Sequence, residues 1–228
     1  MDTGTWHAHL ASGHWFGHLP ADLQRSLLAA ARVRTLTAGQ FLFKRGDPPC
    51  GLYAVLEGAV RISAVNAQGK EAVLSLVETP HWFGEICLFD NLPRTHDALA
   101  TGPCTLAQVP QAAMLGMLEQ HPAYWRDVAL LMSHKLRLSL INIEQMSLMP
   151  ASARLAHRLL MIAQGYGERS QARRVLQLPQ EDLAAMLGLS RQTTNSLLKA
   201  LEQQGILGLS YGAIEILDLN GLRLAAGL

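Results

Sequence analysis

No proline or glycine interrupts the chain between Pro122 and Pro150. A run of that length without a helix breaker allows one helix of roughly 40 Å at ~1.5 Å per residue. Pro122 suits the first turn of such a helix. Within it Trp125, Ala129, Met132, Leu136, Ser139, Ile143 and Met146 recur at alternating gaps of four and three. That spacing is a heptad seam, the pattern of a helix that pairs with a second copy. Val128, Leu131, Leu138 and Ile141 form a second apolar stripe. A helix with two stripes has two surfaces to cover, one on its own domain and one on a second subunit. The pattern predicts a homodimer.

Ahead of this helix the pattern is different. From Thr37 to Pro110 short β-rich runs are punctuated by Gly39, Gly46, Gly51, Gly58 and Gly69. The runs are 41–43, 52–56, 59–65, 72–77, 98–100 and 104–109, and the pair flanking Glu57-Gly58 reads as a hairpin. Their even spacing predicts a small barrel or jelly roll. Residues 20–33 place Leu23, Leu27, Leu28 and Ala31 at helical spacing and predict an amphipathic helix. Residues 1–18 hold Trp6, Trp15 and four histidines. His14 and His18 are spaced to share a helix face, as two metal ligands would. Pro20 interrupts the spacing toward Asp22 and no cysteine is near. A loose or docked segment is expected there, and no metal site.

One stretch carries chemistry. Residues 82–95 read Trp-Phe-Gly-Glu-Ile-Cys-Leu-Phe-Asp-Asn-Leu-Pro-Arg-Thr. Gly84 has no Cβ, so backbone and ligand can approach closely. Ile86 to Phe89 can form one helical turn with free N–H groups for an anion. Arg94 offers a planar fork for a phosphate, and Thr95 a hydroxyl donor. Glu85 is a poor phosphate neighbour and suits a sugar hydroxyl instead. The stretch resembles the phosphate-binding cassette of cyclic-nucleotide-binding domains in its Gly-Glu pair, its Glu85-to-Arg94 separation and its Pro-Arg pair. By that resemblance Glu85 takes the ribose 2′-hydroxyl, and Arg94 and Thr95 take the cyclic phosphate.

Beyond Pro150, which marks a hinge, Ser152 is the expected N-cap of a new helix ended by Gly165-Tyr166-Gly167. Residues 168–174 read as a polar, basic surface loop or wing. A short helix is expected over 181–187, entered at Pro179. Gly188-Leu189 turns, Ser190 caps a second helix over 191–201, and Gly205 ends it. Leu183, Leu187, Leu189, Leu197, Leu198 and Leu201 can meet in one small core. This is a helix-turn-helix, and the strands 206–209 and 214–217 add a wing. Ser190, Arg191, Gln192, Thr193, Asn195, Ser196 and Lys199 supply its DNA-reading face, with residue types that bind base edges and phosphates.

Charge supports this only weakly. Residues 151–228 carry eight Lys and Arg against six Asp and Glu, and the rest eleven against twelve. The net charge of +1 excludes a surface dominated by one sign. Cys50, Cys87 and Cys104 are scattered and odd in number, which argues against a disulfide framework and against zinc or iron–sulfur spacing. No apolar run has the length of a membrane span, so a cytoplasmic protein is expected. Glu85 with Asp90 or Asp97 has no nucleophile–base partner, so no enzyme is expected.

The order β-roll, cassette, long helix, winged helix-turn-helix resembles the cyclic-AMP receptor protein and fumarate–nitrate regulator (CRP/FNR) family of bacterial transcription factors, over about residues 15–220. The resemblance implies an α+β chain in three parts: a cyclic-nucleotide-binding β-roll (jelly roll) over 1–121, a dimerisation helix over 122–149 and a winged helix-turn-helix over 150–228. It implies cyclic AMP as effector, a pseudo-palindromic double-stranded operator and contact with RNA polymerase. Ser139 falls at the first of two adenine-contacting positions of cyclic-AMP receptors; Leu140 departs from the second. Arg191 matches the guanine-reading arginine of the cyclic-AMP receptor, whereas Gln192 stands where both founders carry glutamate and Ser196 where the cyclic-AMP receptor has a second base-reading arginine, so a different half-site is expected. His81, His96 and Leu140 leave room for a second reading: the same DNA-binding regulator sensing haem and gas or redox, or without a nucleotide.

Overall fold

The structure is a computed structural model that describes residues 3–168 and 171–228. Thr3–Ala11 (α1), His14–Gly17 (α2) and Ala21–Ala30 (α3) precede the strands Arg32–Leu36 (β1), Phe41–Phe43 (β2), Leu52–Glu57 (β3), Ala59–Val65 (β4), Glu71–Glu78 (β5) and Trp82–Phe83 (β6). The cassette follows as Ile86–Asp90 (α4), then Asp97–Ala100 (β7), Cys104–Val109 (β8), Gln111–Gln120 (α5) and Tyr124–Leu148 (α6). The remainder is Ala151–Ala163 (α7), a 3-10 turn Gly165–Gly167, Val175–Gln177 (β9), Gln180–Leu187 (α8), Arg191–Gln203 (α9), Leu207–Ser210 (β10), Ala213–Ile216 (β11) and Leu219–Ala225 (α10).

The roll is two four-stranded sheets, ordered β1-β8-β3-β6 and β2-β7-β4-β5. The strand β3 is apolar at successive positions because both its faces are covered. Tyr53 and Val55 point into the roll with Phe43, Phe83, Ala98 and Leu106. Leu52, Ala54 and Leu56 point the other way, onto Leu10, Phe16, Leu23, Met114 and Val128 of the helices. The amino-terminal segment is therefore docked. Phe16 stacks on Trp82 at 5.3 Å, and Trp15 Nε1 donates to the Asp127 carbonyl of α6 at 2.7 Å.

Several sequence expectations are corrected. The strands β3 and β4 are not a hairpin: β3 pairs with β6 and β8, and β4 with β7. The chain crosses between sheets at Gly58, where a Cβ would come within 2.4 Å of the Pro103 carbonyl. The helix over 20–33 ends at Ala30, and Arg32–Leu36 is an edge strand paired with β8. Its first four residues are exposed and only Leu36 is half-buried, so burial gives no alternation and tertiary pairing defines it. Pro122 stands two residues before α6 rather than in its first turn. Ser152 is not a cap, because Pro150 takes the N-cap position of α7. Glu168 is buried, not part of a surface loop; Arg169 and Ser170 of that loop lie outside the described residues.

The chain divides into two compact units, one running to Arg137 apart from Val65–Val73, the other holding Val65–Val73 and Leu138–Leu228. In the second unit α8 and α9 form the helix-turn-helix, with Leu183, Leu187, Leu198 and Leu201 buried and Leu189 and Leu197 half-buried. Ser190 caps α9 as expected, its Oγ accepting from the Thr193 N–H at 3.0 Å. The wing has a third strand, β9, antiparallel to β11. No described helix is long and apolar enough to cross a membrane.

Candidate functional site

The cassette is built by β6, α4 and the segment that follows it. Gly84 has φ +96°, and a Cβ there would lie 2.9 Å from Arg94 Nη1 and 2.9 Å from the Gly51 carbonyl. The space a side chain would need is thus filled by the cassette's own arginine. Arg94 is only 4 % exposed. Its Nη1 donates to the Gly84 carbonyl at 2.9 Å, and its Nη2 to the Gly51 carbonyl at 2.6 Å and to Cys50 Sγ at 3.1 Å. The guanidinium lies 4.4 Å over the Phe43 ring, a cation–π arrangement. Its backbone is pinned as well, with Arg94 N–H donating to Asp47 and Gly46 N–H to Arg94, both at 2.8 Å. Arg94 is therefore part of the packed roll as it stands.

Glu85 is also committed. It is buried, and Lys135 Nζ of α6 lies 2.6 Å from its Oε2. Thr95 is exposed, its hydroxyl 2.9 Å from His96 Nδ1. The residues Gly84, Glu85, Arg94 and Thr95 are brought together around α4. Ser139 is exposed on α6, in the other unit. Burial and the hydrogen bond to Cys50 push the Tyr53 phenol up, so its O–H stays protonated and donates to Cys50 Sγ at 3.1 Å. Burial, then Arg45, pulls His96 down. His81 Nδ1 lies 2.7 Å from the Glu78 carbonyl.

Sequence reasoning missed Lys135, Cys50 and Tyr53. Lys135 had one signal: a cation four residues before Ser139 on a helix otherwise read for its apolar stripes. His14 and His18 do share a face, with ring centroids 4.5 Å apart, but no group of three metal-ligating residues exists among the described residues.

In the second unit α9 turns Arg191, Gln192, Thr193, Ser196 and Lys199 outward, with Asn195 half-buried. Ser190 and Thr193 hydroxyls are 2.8 Å apart in the cap, and Ser196 Oγ donates to the Gln192 carbonyl. Arg191 Nη2 lies 3.5 Å from Glu181 Oε2. Glu202 Oε1 accepts from the Leu209 N–H at 3.1 Å and so ties the wing to α9.

Comparison with known proteins bears on both sites. Residues 33–121 match the cyclic nucleotide-binding domain, and residues 153–225 match the Crp-like helix-turn-helix domain. The transcriptional regulator SdrP of Thermus thermophilus is 30 % identical over 191 residues, 79 % of this chain and 91 % of that protein. The chain belongs to the CRP/FNR family of transcription regulators. The cyclic AMP receptor protein of Thermus thermophilus is 29 % identical to this CRP/FNR regulator over 201 residues, 88 % of this chain and 90 % of that one. A solved CRP/FNR-family transcriptional regulator from Thermus thermophilus has 29 % identity and a TM-score of 0.69, covering 86 % of this chain and 99 % of that one. The relatives are named as transcription regulators, not enzymes, and this chain is a DNA-binding regulator with a cyclic nucleotide-binding domain.

Proposed function

We propose that this regulator takes a cyclic nucleotide, cyclic AMP first among the candidates, in the roll, and that occupancy controls operator binding by a homodimer in the cytoplasm. The observation that carries the reading is the arrangement around α4: Gly84 and Glu85 at its start and Arg94 and Thr95 just past its end, inside the segment that matches the cyclic nucleotide-binding domain. The name of the Thermus thermophilus cyclic AMP receptor protein supports the choice of nucleotide. Glu85 would meet the ribose, and Arg94 and Thr95 the phosphate. Binding then has to exchange contacts. The ribose hydroxyl meets a carboxylate that already holds Lys135, and the phosphate meets a fork that already holds two carbonyls. The effector can shift the dimer only by its differential affinity for two arrangements.

The division into sensor (1–121), dimerisation helix (122–149) and DNA head (150–228) belongs to the same reading. Two heads on a two-fold axis would place the α9 helices in major grooves about one turn apart, on a pseudo-palindrome, within reach of RNA polymerase. Arg191, Gln192, Asn195 and Lys199 would contact bases and phosphates; Ser190, Thr193 and Ser196 would do so by exchanging the hydrogen bonds they now make.

Calorimetric titration of the purified protein with cyclic AMP, and with cyclic GMP beside it, tests the proposal. Micromolar binding of cyclic AMP supports it. Absence of heat and of competition with both nucleotides leaves the DNA-binding regulator and removes the effector.

A further inference from the structure

Two arginines in the second unit have no carboxylate partner among the described residues. Arg154 and Arg158 stand four residues apart on α7 and so share one face. With Asn142 and Gln145 of α6 and Met186 and Leu187 of α8 they line a cavity of about 10 Å³. Arg158 is 9 % exposed, and its Nη2 donates to Asn142 Oδ1. Arg154 Nε is buried and meets no acceptor. No Asp or Glu among the described residues pairs with either guanidinium.

A guanidinium does not give up its proton inside a protein. Burying the Arg158 guanidinium next to half-exposed Arg154, with the Asn142 amide oxygen as its acceptor, is unfavourable unless a counter-charge arrives. The neighbouring residue, His157, is kept from adding a third charge: burial first, and Arg158 second, pull its pKa down. The planar forks suit an oxyanion, which two arginines can hold bidentately. Volume narrows the class. The cavity of about 10 Å³ takes one water-sized group, such as a single oxygen of an oxyanion whose remainder stays at its mouth.

We propose that Arg154 and Arg158 form a binding site for a small oxyanion, either inorganic phosphate or the phosphoryl group of a nucleoside monophosphate. The site joins the last turns of α6 to α7 and to the first helix of the helix-turn-helix. Its occupant holds these three helices together through the two side chains. Nothing in this proposal depends on what the cassette binds.

The test uses full-length protein, wild type and the variants Arg154→Gln and Arg158→Met, in thermal melts. Potassium phosphate or adenosine monophosphate is titrated against potassium chloride at matched ionic strength. Phosphate well above its Kd raises the wild-type Tm by roughly 2–4 °C, and the rise is lost in both variants. A rise with phosphate, with the monophosphate or with both upholds the site and names the source of the phosphoryl group. Equal rises in wild type and variants overturn it, as does no rise with either anion. If Arg158→Met does not fold, Arg154→Gln carries the test alone, since the side chain of that half-exposed residue makes no hydrogen bond among the described residues.

Discussion

Lys135 Nζ lies 2.6 Å from Glu85 Oε2 and joins the long helix to the start of the cassette. The carboxylate is nearly sealed from solvent, whereas the ammonium is about one-third exposed (4 % and 33 % of the side chains). Removing the lysine therefore strands a buried charge. Lys135→Met should cost about 1–3 kcal/mol, below the cost of breaking a fully buried pair because water still reaches Nζ. Adding Glu85→Gln should recover part of that loss. Denaturant unfolding of the two single variants and the double variant measures the coupling; a Lys135→Met protein as stable as wild type would show that Glu85 finds other partners.

Arg94→Ala should remove nucleotide binding and also weaken the fold. Read from the sequence, Arg94 is a phosphate ligand only. In the structure its guanidinium satisfies the Gly84 and Gly51 carbonyls and packs on Phe43. Truncation leaves those acceptors and an aromatic ring uncovered, a loss of about 2–4 kcal/mol. Arg94→Lys restores charge but not the fork, so it should recover little of either property. Melting curves with and without cyclic AMP separate the two effects.

What was legible in the sequence were features that repeat or that are local. The heptad spacing gave α6, the Ser190 cap gave α9, and the strands 59–65 and 104–109 follow from β-rich runs between turn residues. What was not legible depends on partners far along the chain. The strand β1 is mostly exposed and exists through β8; β3 looked like a hairpin arm because its neighbour in sequence is also a strand. The cassette residues were named from their order, but order does not say that Arg94 turns inward or that Lys135, fifty residues away, meets Glu85. Those are packing outcomes.

The exposed stripe of α6 gives a test of the proposed homodimer. Leu136, Ile143 and Met146 are 59 %, 60 % and 52 % exposed in the protomer, while Val128 and Leu131 of the other stripe are buried on the roll. Leu136→Asp with Ile143→Asp puts like charges on the proposed two-fold seam and should yield a monomer by light scattering, with an unchanged far-ultraviolet dichroism spectrum. The monomer should lose at least tenfold in affinity for a two-half-site operator, because the second head no longer binds at high effective concentration. A dimer that survives both substitutions would place the interface elsewhere.

His157 should make the fold sensitive to mild acid. Burial, then Arg158, lowers its pKa below the ordinary 6.5. As pH falls the unfolded chain takes up this proton before the folded one does, so the contribution is complete above about pH 6.5 and declines below it. Wild type should lose more stability between pH 7.5 and pH 5.5 (~2 units across the titration) than His157→Gln. Equal losses in parallel melts would move the acid sensitivity to other groups.

Gln192 is the position at which this regulator's operator should part from those of the family's founders. It stands exposed in the first turn of α9, its side chain unused by the cap that occupies Ser190 and Thr193. A bidentate amide reads adenine best, at ~1–3 kcal/mol of discrimination per base pair. Replacing Gln192 with Glu should therefore shift the preference at one base pair in each half-site, toward a cytosine whose amino group donates to the carboxylate, and leave the other positions unchanged. Selection from randomised operators followed by competition binding reads that directly. Uniform weakening across all sequences would instead make Gln192 a phosphate contact, and reading at that step would pass to Arg191, whose fork Glu181 already holds at 3.5 Å.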